Sequence, residues 1–294
     1  MASVPPEEEI PAHAVASAPE IMPPEGRAVP PQAAVRKRRT TWAAAPATHL
    51  LVGINCAVFL AMVARGISPV SPTVDQLMGW GANNAGSVLI NGEWVRIVTA
   101  MFVHVGILHL ATNMWCLWNL GFLAEVIFDR WTYILTYTAC GIAGSLSSLW
   151  WHPISVGAGA SGAIFGLAGA LIAALYLGNL PIPKSALKGT LKSLLTFAGY
   201  NLVFGAVGRF IDNSAHIGGL IMGLAIGAVM APRLTNPEER GRWRVLIFGV
   251  VAILLFAGNQ YVRKVNGPVI NQFLENVGRH ANDAGNNRSS APDQ

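Results

Sequence analysis

Seven stretches of the chain, at about 47–65, 106–127, 131–151, 158–178, 187–209, 212–231 and 243–260, are nearly continuous runs of apolar residues. Most are long enough to cross a hydrocarbon core, which takes about 20 helical residues. In lipid each backbone polar group must be satisfied within its own segment, so such runs predict helices. The pattern therefore predicts an all-α, polytopic membrane helical bundle: a six-helix core over residues 46–232 and a seventh transmembrane helix at 243–260. That last run is barely sufficient, with Arg244 near its start and Asn259 and Gln260 near its end. The third, fourth and sixth runs contain several Gly and Ser residues, which in lipid point to close helix packing.

Composition sharpens this picture. The chain of 294 residues is 52% apolar and 12% charged, against roughly 25% charged in soluble domains. Its 20 basic and 15 acidic side chains cannot cover a water-facing exterior, so a soluble fold is excluded. The basic residues gather at the ends of apolar runs instead of on one face, so no nucleic-acid partner is expected. With the N-terminus inside, 13 basic residues fall on the cytoplasmic side and 7 on the far side, the asymmetry of a cytoplasmic N-terminus. The expected location is the cell (inner) membrane.

Residues 1–45 are rich in Pro, Ala and Glu and end in Arg36, Lys37, Arg38 and Arg39. They read as a disordered cytoplasmic tail whose basic run anchors the first span; they have neither the pattern of a secretory signal nor that of a transit peptide. The polar stretch 261–294 reads as a second disordered tail. Residues 66–105 form the one sizeable far-side loop, with Trp80 and Trp94 among its apolar residues, and are expected to lie in the headgroup region. Cys56, Cys116 and Cys140 all sit inside apolar runs, so they read as small buried hydrophobes and not as a disulfide framework.

Polar side chains at membrane depth are costly and therefore functional candidates. His109 and Asn113 are four apart in the second span and share one helix face; alone, they could equally be a hydrogen-bonded pair that joins helices. Gly159-Ala160-Ser161-Gly162 opens the fourth span. There a hydroxyl flanked by residues without a β-carbon sits beside the unpaired N–H groups of a helix start. His216 stands near the outer end of the sixth span, and Gly219, Gly223 and Gly227 make a smooth strip below it. Gly162 and Gly166 do the same on the fourth span, so the two helices can pack closely and bring an imidazole near a hydroxyl. His109, Ser161 and His216 all fall within the first turn or two of even-numbered spans, at one level below the outer surface. His104 and His109 are about 140° apart on a helix, so they make no two-ligand metal pair; neither a metal nor another cofactor is expected.

These residues resemble the rhomboid family of intramembrane serine proteases over about 47–232. The resemblance rests on His104, His109 and Asn113, then Gly121 and Glu125, then the GxSG motif at Gly159–Gly162, and Ala215-His216 with Gly219 and Gly223 as AHxxGxxxG. It implies a serine-type endopeptidase with Ser161 as nucleophile and His216 as base. It further implies an oxyanion site of the Ser161 N–H with the side chains of His109 and Asn113, and support from His104, Gly159, Gly162, Phe165 and Gly219. Partners would be transmembrane protein substrates and the lipid bilayer, with the site toward the outer face. The family's Trp-Arg pair in the first loop is Val95-Arg96 here, with Trp94 one position early. Phe165 can stack on His216 but has no hydroxyl to bond it. Asp212, four before His216, reads as a helix cap more readily than as a third catalytic residue.

Two other readings differ in class. A non-catalytic rhomboid-like protein would bind membrane segments without cutting them, but such relatives typically lack the serine or the histidine. A seven-helix transporter would show internal repeats and midplane ionisable groups, and neither is present.

Overall fold

The computed structural model describes residues 45–181, 183–207 and 211–289; the expectation of a disordered tail at 1–45 falls, but for Ala45, outside them. All regular structure among the described residues is helical: α1 (Pro46–Ala64), α2 (Val74–Gly79), α3 (Arg96–Thr99), α4 (Ile107–Phe128), α5 (Arg130–Trp151), α6 (Ser161–Leu177), α7 (Lys184–Val207), α8 (Asn213–Met230) and α9 (Pro237–Ser289). Only one isolated backbone bridge, Asn83 to Gly157, has strand-like pairing among them.

By length and apolar content alone, α1, α8 with the turn after it, and α9 could each cross a membrane, and α3–α4 make a fourth if their 93° bend is one broken span. That is fewer than the seven expected, for physical reasons. The helix α6 has 17 residues, about 26 Å of rise, less than a hydrocarbon core of roughly 30 Å. It sits at the centre with nearly every side chain buried. The helices α5 and α7 dilute their apolar content with Thr and Ser, or with Lys184, Lys188 and Lys192.

The centre of the bundle is α6 packed against α8 and α5, which also pack on each other, with backbones in direct approach. A β-carbon on Gly219 would land on the carbonyl oxygen of Gly162, one on Gly223 on that of Gly166, and one on Gly227 on that of Ala170. The pairing advances four residues on both helices at once, so α6 and α8 run parallel, in register, from the same end of the bundle. Only glycine permits this spacing, which brings the first turns of both helices to one level.

Further outward, Glu125 near the end of α4 accepts three bonds from the start of α1: from the Ala47 N–H, the Thr48 N–H and the Thr48 hydroxyl, each at 3.0 Å. A first helical turn has unpaired donors and a positive dipole end, and this buried carboxylate satisfies both. Gly121, one turn earlier, leaves room for Thr48 and the Tyr133 hydroxyl. Asp129 caps α5 through the Trp131 and Thr132 N–H groups and pairs with Arg240 at 3.0 Å and Arg244 at 3.3 Å, tying down the start of α9.

The stretch 261–294, expected to be disordered, is helical as far as Ser289. Val262 and Ile270 are buried with Ala85, Val88, Leu89 and Ile97 of the first loop and with Leu146 and Leu149 of α5. Asn266 donates to the carbonyls of Leu149 and Trp150 at 2.8 and 2.9 Å. Polar composition masked the one apolar row that faces the loop. The three cysteines are free.

Candidate active site

The start of α6 is set by the loop before it. Gly157 and Asn83 exchange both backbone bonds at 2.8 Å, and the Asn83 side chain donates to the Ser145 carbonyl at 3.1 Å. Gly159 donates to the Ala100 carbonyl at 2.9 Å with φ of +120°, a conformation that side chains other than glycine's rarely tolerate. A β-carbon there would also meet His109 Cε1 at 2.6 Å. The chain then turns directly into α6, with Ser161 as its first residue. The first intrahelical bond runs from the Ile164 N–H to the Ala160 carbonyl at 3.0 Å, so the N–H groups of Ser161, Gly162 and Ala163 are the helix's unpaired donors.

Opposite stands the first turn of α4. The Val105 N–H donates to His109 Nδ1 at 3.4 Å. A ring nitrogen that accepts leaves the proton on the other, so Nε2, the atom turned toward Gly159, is the donor. Asn113 donates one amide hydrogen to the His109 carbonyl at 2.9 Å and keeps the second free. His104 lies behind them, fully buried, with its ring 5.3 Å from that of His109. The His104 Nδ1 lies 3.3 Å from the Phe102 carbonyl, and its Nε2 has no partner among the described residues.

His216 lies in the first turn of α8, which Asp212 caps by accepting from the Ala215 N–H at 3.2 Å. Asp212 also receives the Ser214 hydroxyl, and Ser214 contacts His152 Nδ1 at 3.1 Å. Asp212 is thus a helix cap, as expected from its position. The imidazole of His216 is buried and lies flat on Phe165, ring centroids 4.1 Å apart and planes 9° from parallel. Its Nδ1 has no hydrogen-bond partner among the described residues, so no described carboxylate bonds to it.

Ser161, His216, His109, Asn113, Gly159, Gly162 and Phe165 share the wall of one cavity of about 450 Å³. His104 and Gly219 stand behind that wall, the one against His109 and the other against α6. Ser161 and His216 face the same space without a hydrogen bond between them among the described residues. The cavity wall carries the Ser161 hydroxyl, the His216 imidazole and the N–H-bearing side chains of His109 and Asn113. Two contributors were missed from sequence. Asn83, which pins the loop before Ser161, was signalled only by an Asn-Asn pair in an apolar loop. The Val105 backbone, which fixes the His109 tautomer, has no side-chain signal at all.

Comparison with known proteins gives the same family. A model of the rhomboid domain matches residues 91–233. Among characterised relatives, the rhomboid protease GluP of Bacillus subtilis is 35% identical over 214 residues, which are 73% of this chain and 40% of that protein. RHOMBOID-like protein 6, mitochondrial, of Arabidopsis thaliana is 37% identical over 207 residues, 65% of this chain and 66% of the relative. The rhomboid protease AarA of Providencia stuartii is 29% identical over 220 residues, 67% of this chain and 77% of that protein. The chain belongs to the rhomboid family and is a multi-pass, all-α membrane protein. It spans 40% and 66% of the length of the first two of these relatives.

Proposed function

We propose that this protein is an intramembrane serine endopeptidase that hydrolyses peptide bonds in or near transmembrane segments of membrane proteins. The observation that carries this reading is the shared cavity, in which the first residue of α6 and the first turn of α8 meet because Gly162 and Gly219 let the two backbones touch.

In this reading the Ser161 hydroxyl oxygen attacks the scissile carbonyl carbon while His216 Nε2 takes its proton. The developing oxyanion accepts from the Ser161 N–H, His109 Nε2–H and the free Asn113 amide hydrogen, and donors aimed at that charge are usually the largest catalytic term. The C–N bond then breaks, and His216 returns its proton to the leaving amine, leaving an acyl group on Ser161. Water attacks that ester with His216 again as base, which releases the acid and restores the hydroxyl. Phe165 restrains the plane of the imidazole by stacking, one part of the task an acidic partner performs in a triad.

The cavity opens at the start of α6, a helix shorter than the membrane is thick, so cleavage belongs at or just below the surface on the side where α4, α6 and α8 begin. With a cytoplasmic N-terminus this is the outer side of the cell membrane. A substrate carbonyl is attackable only when freed from its own helix, so the site should favour segments that unwind readily, with small residues at the cut.

The purified full chain should cleave a model single-span substrate and take up one fluorophosphonate, on Ser161. The substitution Ser161→Ala should abolish both, with activity down by about 10⁴ or more. Cleavage by Ser161→Ala at the wild-type rate would overturn the assignment, and binding of the substrate without cleavage by either protein would favour the non-catalytic reading.

A further inference from the structure

A second cavity, of about 470 Å³, lies at the opposite end of the bundle from the serine, where α8 ends and α9 begins. Its wall consists of Pro232, Arg233, Glu239, Arg242, Trp243 and Leu246. The Arg233 guanidinium is held in place twice. It donates to the Val229 carbonyl at 2.5 Å and lies over the Trp243 ring, 3.7 Å from its centroid.

The neighbouring Arg240 and Arg244 both pair with Asp129, whose single charge offsets one of theirs. In contrast, Arg233, Arg242 and Glu239 form no ion pair with one another or with any other described residue. Two guanidiniums and one carboxylate leave the wall with one net positive charge. Immediately membrane-ward the surface is apolar and uncovered: Val229 on α8 and Leu246, Val250 and Ile253 on α9 are 44%, 55%, 49% and 69% exposed. Gly249 between them leaves open space. A cationic notch that continues into an apolar groove at a helix end, with an indole at the boundary, matches one amphiphile: a charged head over acyl chains.

We infer that this notch binds an anionic phospholipid, with its phosphate between Arg233 and Arg242 and an acyl chain along the α8–α9 groove. A planar guanidinium already fixed on an indole loses little freedom on meeting a phosphate, which suits Arg233 for the task. Arg242, which is exposed, supplies the second charge. Glu239 offsets one of the two guanidinium charges, so the attraction for an anionic head rests on the net charge of the wall and on the proximity of the phosphate to Arg233 and Arg242. The lipid would clamp the end of α8 to the start of α9, which Asp129 ties separately to α5.

The test is native mass spectrometry of the full chain in a nonionic detergent, titrated with dioleoyl phosphatidylglycerol or dioleoyl phosphatidylcholine. Phosphatidylglycerol should bind at least about fivefold more tightly, Arg242→Gln should remove about fivefold of that affinity, and Arg233→Gln with Arg242→Gln more than tenfold. Arg279→Gln, far along α9, should leave it unchanged. If the double variant does not fold, the exposed Arg242→Gln alone carries the test. Equal binding of the two lipids, or wild-type affinity in Arg242→Gln, would overturn the site. So would displacement of the lipid by an equimolar amount of inorganic phosphate, which would make the ligand a free anion.

Discussion

Phe165 and His216 meet face to face at 4.1 Å, and that contact restrains an imidazole whose Nδ1 has no hydrogen-bond partner among the described residues. An aromatic contact of this kind is worth about 0.5–1.5 kcal/mol beyond the area it buries. Phe165→Ala should therefore lower kcat about tenfold with little change in KM, while Phe165→Tyr should stay near wild type; steady-state cleavage of a transmembrane reporter would measure both. A fall in KM-controlled rate alone would mean that the ring lines the substrate path without positioning the base. At this scale the sequence was legible wherever a residue type has few uses in lipid. His109, Asn113, Ser161 and His216 stood out because polar groups at that depth are expensive. The tautomer of His109 was not legible, since a backbone N–H, that of Val105, decides it.

Between elements, two devices hold the site together. The first is the parallel contact of α6 with α8, where the β-carbon of any residue replacing Gly223 would collide with the Gly166 carbonyl. Backbone cannot yield as a side chain can, so Gly223→Val should cost at least about 3 kcal/mol. It should lower the thermal midpoint in detergent and, by shifting α8 off its register, fluorophosphonate uptake by Ser161. A folded variant with normal uptake would show that the register is held elsewhere. The second is Glu125 beneath the start of α1. Glu125→Ala leaves two buried N–H groups and a hydroxyl unpaired, at a cost of about 3 kcal/mol, and should destabilise the protein while the folded fraction still labels at Ser161. The strip of small residues was readable as a sign of close packing. Which residue meets which was not, because a glycine strip fits any other at several offsets of four.

At the scale of the molecule, helical structure extends beyond the apolar runs. The expected disordered stretch 261–294 continues α9 to Ser289 and covers the inner face of the first loop. Truncation after Gln260 would expose Val88, Leu89 and Ile97 and remove the bonds of Asn266, at about 1.5–3 kcal/mol for each large buried side chain lost. The shortened protein should unfold several degrees lower, and limited proteolysis should cut the loop 80–98 faster; an unchanged cleavage pattern there would show that α9 does not brace it. This brace escaped sequence reading for a specific reason. Val262, Asn266 and Ile270 are spaced four apart among exposed residues that mix Arg263, Lys264 and Asn271 with Val265 and Val269, so the mean hydropathy is low although one narrow face is buried.

Hydropathy, spacing and the chemistry of a few rare residues were enough to establish an all-helical membrane protein, its family resemblance and the candidates for nucleophile, base and oxyanion donors. These are local properties: a run of apolar residues must be helical in lipid whatever surrounds it, and a Gly-x-Ser-Gly turn exposes its hydroxyl wherever it occurs. The offset of α6 on α8, the proton on His109, the isolation of His216 Nδ1 and the packing of α9 on the first loop depend instead on residues far apart in the chain. Each arises from the fit of two surfaces, and only when both are folded does one arrangement exclude the rest.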